Sequence, residues 1–129
     1  MQFKYTHTSI MVLDLERSLK FYEETFGLTP KREILAEDGS YKLIFLGEET
    51  TNFRLELAWF RDRKEPYNLG DNNLHCHVGF LVDDYDAAHK KHSEMGCITH
   101  DEPERGIYFI ADPDGYWMEV VRPREGNRF

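Results

Sequence analysis

Apolar and polar residues alternate along the first stretch of the chain. The parity sends His7, Ser9 and Met11 to one face and Thr8, Ile10 and Val12 to the other, which predicts a strand over about residues 4–13. After Asp14, an N-cap residue type, the spacing turns helical. Leu15, Leu19, Tyr22 and Phe26 recur until Gly27, and Pro30 follows where a helix must stop. Strands are expected over Lys31–Leu35 and Tyr41–Leu46, joined by the turn-forming Glu37-Asp38-Gly39-Ser40. Gly47 to Asn52 is a polar connection into a strand over Phe53–Phe60, where Phe53, Leu55, Leu57 and Trp59 share one face and Glu56 points the other way. Residues 61–73, polar and broken by Pro66 and Gly70, read as a linker.

Beyond the linker the plan returns. A strand over 74–82 leads to the N-cap Asp84, a helix to Met95, and Gly96. Ile98–His100 is a short strand, Asp101–Arg105 a charged loop and Ile107–Ala111 a strand. The turn Asp112-Pro113-Asp114-Gly115 then leads into a strand over Tyr116–Val121, and the charged tail from Arg122 should fray. Each half reads βαβββ, so the class is α+β, with a first module over 4–60 and a second over 74–122 in a single domain. The repetition extends to particular residues. His7 to Asp14 aligns with His77 to Asp84, and each half closes with one glutamate among apolar neighbours, Arg54-Leu55-Glu56-Leu57 and Trp117-Met118-Glu119-Val120. Ile10, Val12, Leu55 and Leu57, then Val78, Phe80, Met118 and Val120, suit the face that meets a helix. By parity, His7, Glu56, His77 and Glu119 take the opposite, concave face of two curved sheets.

Charge narrows the function classes. Sixteen basic against twenty-four acidic residues leave a net charge of −8, which disfavours binding to nucleic acid or an anionic membrane surface. The N-terminal Met1–His7 shows no apolar stretch of signal-peptide length, and no run approaches a membrane span. Cys76 and Cys97 form neither a CxxC pair nor a disulfide framework, and both read as small buried residues. A soluble cytoplasmic protein is expected.

Taken singly, a strand histidine or glutamate is an ordinary polar residue more often than a ligand. Glutamate is a poor strand former, however, and each half places one mid-strand among apolar neighbours. A buried carboxylate is costly without a cation, and two imidazoles with two carboxylates on one ion would remove that cost. His75 competes with His77 because it lies two residues earlier on the same face, but its first-half counterpart is Tyr5. His89 and His92 are expected to be solvated or to pack on the second helix, and no role is assigned to His100. Trp117 and Phe60 share the faces of Glu119 and Glu56 and are candidate pocket walls.

The closing Asp112-Pro113-Asp114-Gly115-Tyr116-Trp117-Met118-Glu119 resembles the signature of the vicinal oxygen chelate superfamily. Tyr67–Gly70 with His77–Asp84, and the opening His7, Asp14, Phe21-Tyr22 and Gly27-Leu28, are similar to its glyoxalase I (lactoylglutathione lyase) members. The likeness runs from His7 to about Pro123. It implies a homodimer, with sites in many relatives shared between chains, and a divalent metal on His7, Glu56, His77 and Glu119. Ni²⁺ or Co²⁺ is favoured and Zn²⁺ also suits. It implies isomerisation of the hemithioacetal of methylglyoxal and a thiol to the S-D-lactoyl thioester, with Glu119 as principal base and Glu56 as its partner. Met11 and Phe60 stand where the family commonly has an Arg and an Asn that help hold glutathione, which directs attention to Arg105 and Arg32 as substitutes. The alternatives are an epimerase, an isomerase using another thiol, or a metal-free binding module.

Overall fold

The computed structural model describes residues 1–67 and 76–129. The chain divides into two compact units, Met1–Tyr67 and Asn68–Phe129. The first holds β1 (His7–Val12), α1 (Leu15–Phe26), β2 (Thr29–Leu35), β3 (Tyr41–Gly47) and β4 (Arg54–Phe60). The second holds β5 (Val78–Leu81), α2 (Tyr85–Glu94), β6 (Ile98–Glu102), a 3-10 turn (Pro103–Arg105), β7 (Ile107–Ala111) and β8 (Trp117–Val121). Each unit builds one four-stranded sheet, ordered β1-β4-β3-β2 in the first and β5-β8-β7-β6 in the second. β4 and β8 are therefore inner strands, each paired parallel to the unit's first strand and antiparallel to its third. The α+β class and the βαβββ plan of each half are as the sequence implied.

Both helices start where an aspartate side chain accepts a backbone N–H: Asp14 from Arg17, Asp84 from Ala87. α1 ends at Gly27, whose φ of 66° is a left-handed cap that a β-carbon would disfavour. Its buried stripe is Ser18, Tyr22 and Thr25, with Leu15, Leu19 and Phe26 only half-buried, so the contact line is rotated from the one the apolar residues suggest. Ser18 and Thr25 are short, which lets the helix lie close to the sheet. The buried residues of the first unit include Tyr22, Ile10, Val12, Ile44, Leu46, Leu55 and Leu57, and those of the second include Tyr85, His92, Tyr108, Ile110, Met118 and Val120.

Several boundaries differ from the sequence reading. β1 begins at His7 rather than residue 4, and β2 begins at Thr29 and includes Pro30. Proline fits there because β2 is an edge strand and the register slips between Pro30 and Arg32. β5 starts only at Val78, so His77 lies one residue before it. β6 runs on to Glu102 because His100, Asp101 and Glu102 pair with β7, which turns part of the expected charged loop into strand. Cys76 is exposed rather than buried, as it precedes the strand, while Cys97 is half-buried. Among the described residues, no helix is long and apolar enough to cross a membrane.

Candidate metal and substrate site

Within the first unit, register lines four residues up across the sheet: Arg32 on β2, Phe45 on β3, Glu56 on β4 and Ser9 on β1. The second unit repeats the row as His100 on β6, Phe109 on β7, Glu119 on β8 and Gly79 on β5. Each glutamate sits on an inner strand whose backbone is hydrogen-bonded on both sides, so its Cα is rigidly placed. Two acidic side chains shape the approaches to these strands. Asp112 Oδ1 accepts N–H bonds from Asp114 and Tyr116, both at 2.9 Å, and fixes the turn that sets Glu119 in register. Ahead of β4, Glu48 accepts from Thr50 and Thr51. Burial opposes its charge, but these hydrogen bonds outweigh it and hold its carboxyl below the usual range.

A histidine stands diagonally across from each glutamate. His7 Nε2 lies 3.8 Å from Glu56 Oε2, and His77 Nε2 lies 3.3 Å from Glu119 Oε2. Each imidazole meets the phenylalanine of its row edge-on, at an interplanar angle of 89° and centroid distances of 5.4 Å to Phe45 and 5.1 Å to Phe109. His7 Nδ1 also pairs with Thr6 Oγ1 at 2.9 Å, which leaves Nε2 as the nitrogen directed at Glu56. The Glu56 residue is only 8% exposed, yet 3.8 Å is too long for a hydrogen bond. His7 is its one ion-pair partner by distance within 4 Å among the described residues.

A buried carboxylate facing an imidazole across such a gap fits a cation between them. Two donors each about 2.1 Å from a shared ion stand about 3 Å apart at right angles and about 4 Å apart when opposed, a range that holds both spacings; at 3.3 Å His77 and Glu119 also hydrogen-bond directly. Among the described residues no three His, Cys, Asp or Glu side chains cluster as a metal cage. The structure thus brings together His7 with Glu56 and His77 with Glu119. His75 lies outside the described residues.

The other candidates are distributed around these pairs. Trp117 packs on Ile107, Phe109 and Val121, and its ring stacks on His100 at 6.4 Å and 18°. Met11 and Phe60 are both more than a third exposed, and Phe60 meets Tyr41. Arg105 is bound to Glu102 at 2.9 Å, and Glu102 also accepts from His100 at 2.8 Å. The hydrogen bond from His100, then that from Arg105, holds the Glu102 carboxyl below its ordinary pKa. His100, Phe45 and Phe109 had no role in the sequence reading. Parity places both phenylalanines on the concave face, whereas the register slip in β6 between Ile98 and His100 makes parity unreliable for His100. His92 is buried and bonded to the Tyr108 hydroxyl at 2.9 Å, and His89 is bonded to Asp101 at 2.6 Å, so both are packing residues of α2.

The chain is similar to known proteins. Residues 4–120 match the family model for the Glyoxalase/Bleomycin resistance protein/Dioxygenase superfamily. The chain is 33% identical to the lactoylglutathione lyase of Neisseria meningitidis serogroup A, covering 94% of this chain and 91% of that protein. It superposes with a TM-score of 0.80 on the trypanothione-dependent glyoxalase I of Leishmania major, at 27% identity, covering 94% of this chain and 87% of that one. On glyoxalase I of Zea mays the TM-score is 0.77 at 31% identity, and the chain covers 44% of that longer protein. The chain therefore belongs to the Glyoxalase/Bleomycin resistance protein/Dioxygenase superfamily and, within it, to the family of the lactoylglutathione lyases.

Proposed function

We propose that this lyase-family enzyme isomerises the hemithioacetal of methylglyoxal and a thiol, with glutathione as the first candidate, to the S-D-lactoyl thioester in the cytoplasm. The observation that carries the reading is the buried Glu56 carboxylate facing His7 Nε2 at 3.8 Å, repeated in kind by Glu119 and His77 at 3.3 Å. In this reading the two pairs hold one divalent cation per site, with donors drawn from one chain or shared across a homodimer. A set of two imidazoles and two carboxylates suits Ni²⁺ or Co²⁺ and also accepts Zn²⁺. When bound, the cation supplies Lewis-acid polarisation to the adjacent oxygens of the hemithioacetal. Glu119 takes the proton from C1 and returns it at C2, and Glu56 serves as its pseudo-symmetric partner. The phenylalanine floors keep the imidazoles upright, and Trp117 with His100 walls the Glu119 side.

The test is isomerisation of the methylglyoxal–glutathione adduct by protein stripped with chelator and reloaded separately with Ni²⁺, Co²⁺ or Zn²⁺. Metal-dependent turnover supports the proposal. Tight metal binding without turnover moves the chemistry to another thiol or to an epimerase, a reading favoured by Met11 and Phe60. Neither metal binding nor turnover would point to a metal-free binding module.

A further inference from the structure

We infer that Arg32 is a specificity residue that anchors a carboxylate of the thiol half of the substrate. The inference rests on the hemithioacetal reading above. Arg32 occupies the β2 end of the row that runs through Phe45 to Glu56. Its guanidinium lies over the Phe45 ring at 5.5 Å from the centroid, on the same ring that His7 meets edge-on. Arg32 is exposed, and among the described residues no carboxylate lies within 4 Å of it. Other candidate cations are already engaged. Arg54 turns back onto the Thr51 and Phe53 carbonyls, Lys31 pairs with Glu49, and Arg105 pairs with Glu102.

In a chain of net charge −8, Arg32 is a guanidinium held against an aromatic face with no carboxylate partner among the described residues. The ring fixes its plane and leaves the N–H fork free to take a carboxylate through two parallel hydrogen bonds. Reach agrees with this. Arg32 is two strands from Glu56, about 10 Å between backbones at ordinary strand spacing. A reacting carbon at the His7–Glu56 pair would thus be several bonds from an anion at Arg32. A cysteine-containing peptide thiol places its carboxylates at such a remove from sulfur, whereas a bare aminothiol has none. The second unit's row ends instead in His100, already bound to Glu102 and stacked on Trp117, so the anion is assigned to the first unit.

The experiment compares Arg32→Gln and Arg32→Lys with the wild type, all metal-loaded, by calorimetric binding of S-hexylglutathione and its diethyl ester. Turnover of the methylglyoxal adducts of glutathione and glutathione diethyl ester is measured alongside. Lys90→Gln, with the same charge change on the exposed face of α2, controls for net charge. Arg32→Gln should weaken S-hexylglutathione about tenfold, the loss of one charge-assisted contact. It should leave the diester's affinity where the wild type has it, and Arg32→Lys should recover part of the loss. For turnover the defect should appear in KM rather than kcat, with metal content unchanged. Equal affinity of Arg32→Gln and wild type for S-hexylglutathione, or an equal loss for the acid and the diester, would overturn the inference alone. A metal-loaded wild type that neither binds S-hexylglutathione nor turns over its adduct would overturn the functional reading and the inference together.

Discussion

At an offset of seventy residues, Leu15, Leu19 and Tyr22 of α1 correspond to Tyr85, His89 and His92 of α2; by strand register, Ile44 of β3 occupies the place of Tyr108 in β7. The first unit's helix layer sets the aliphatic Leu15, Leu19 and Ile44 with the fully buried Tyr22. The second fills the same positions with aromatic groups carrying polar atoms. Tyr108 bonds His92, His89 bonds Asp101 and meets the Tyr108 ring edge-on at 4.9 Å, and Arg122 lies over Tyr85 at 4.3 Å. On the concave side the two units agree instead: histidine, phenylalanine and glutamate recur in matching places with matching ring geometry. The helix layer has only to fill volume and satisfy its polar atoms, which many residue sets can do. In the proposed function the concave row would have to present an imidazole nitrogen and a carboxylate oxygen to one cation, which few residue sets can do. Within that row the ends differ, with Arg32 and Ser9 in one unit and His100 and Gly79 in the other.

The broadest test of the matched pairs is to remove one proton-accepting group at a time. Glu119→Gln keeps a ligating oxygen but cannot take a proton, so kcat should fall roughly 10²–10⁴-fold, the usual contribution of a general base. Metal content, read by elemental analysis, should be largely retained. Glu56→Gln should cost less, since its more enclosed carboxylate is better placed to hold the cation than to move toward substrate; its side chain is 11% exposed against 22% for Glu119. If Glu56→Gln were the more damaging change, the roles of the two glutamates would be exchanged. Next in size are the histidines. His77→Ala and His7→Ala should each weaken metal binding by more than the roughly 10–100-fold that follows loss of a supporting hydrogen-bond partner. His75→Ala should leave it unchanged, and the reverse order for His75 and His77 would move the ligand by two residues.

Much of this is legible in the sequence. The repeat, the two capped helices and the outward parity of Glu56 and Glu119 follow from period and spacing, because a strand with one buried face fixes the direction of every side chain. Parity also put Phe60 beside Glu56 and Trp117 beside Glu119. What escaped were features set by pairing between strands. The cross-strand row joining Arg32 to Glu56 depends on a register slip in β2 next to Pro30, and its counterpart depends on one in β6. The exposure of Cys76 depends on β5 starting four residues later than its apolar run suggested. The α1 contact line through Ser18 and Thr25 was hidden because small polar residues allow close approach without an apolar signal.

A smaller effect should come from the far end of the row. A β-carbon at Gly79 would lie 3.4 Å from Glu119 Oε2, whereas the first unit carries Ser9 in that place beside Glu56. Gly79→Ala should shift the carboxylate by a few tenths of an ångström. That predicts about a fivefold loss in kcat, well short of the roughly hundredfold that a full ångström can cost. Metal affinity should stay put. Ser9→Gly should change the rate less, because Glu56 is not the residue assigned the proton. Equal effects of the two substitutions would argue that the glutamates share the work symmetrically.

The smallest expected effect separates the helix layers by pH. Burial, and then the neighbouring Tyr85, push the Tyr108 phenol well above its ordinary range. A phenol with a raised folded-state pKa holds its proton more tightly when folded. The unfolded chain therefore ionises first, and the stabilisation is complete below the usual phenol pKa of about 10 and declines as the pH rises beyond it. Tyr85 and Cys97, pushed in the same direction by burial, should add to this alkaline loss. Ile44 gives the first unit nothing to titrate at the matching position. Tyr108→Phe removes the hydrogen bond to His92 and should cost about 1 kcal/mol at neutral pH. It should also make the decline in stability between pH 9 and 11 shallower, as read from urea unfolding midpoints with amide exchange followed separately in α1 and α2. An unchanged alkaline slope, or a slope carried by α1 amides, would mean that the polar helix layer of the second unit is not where the pH sensitivity resides.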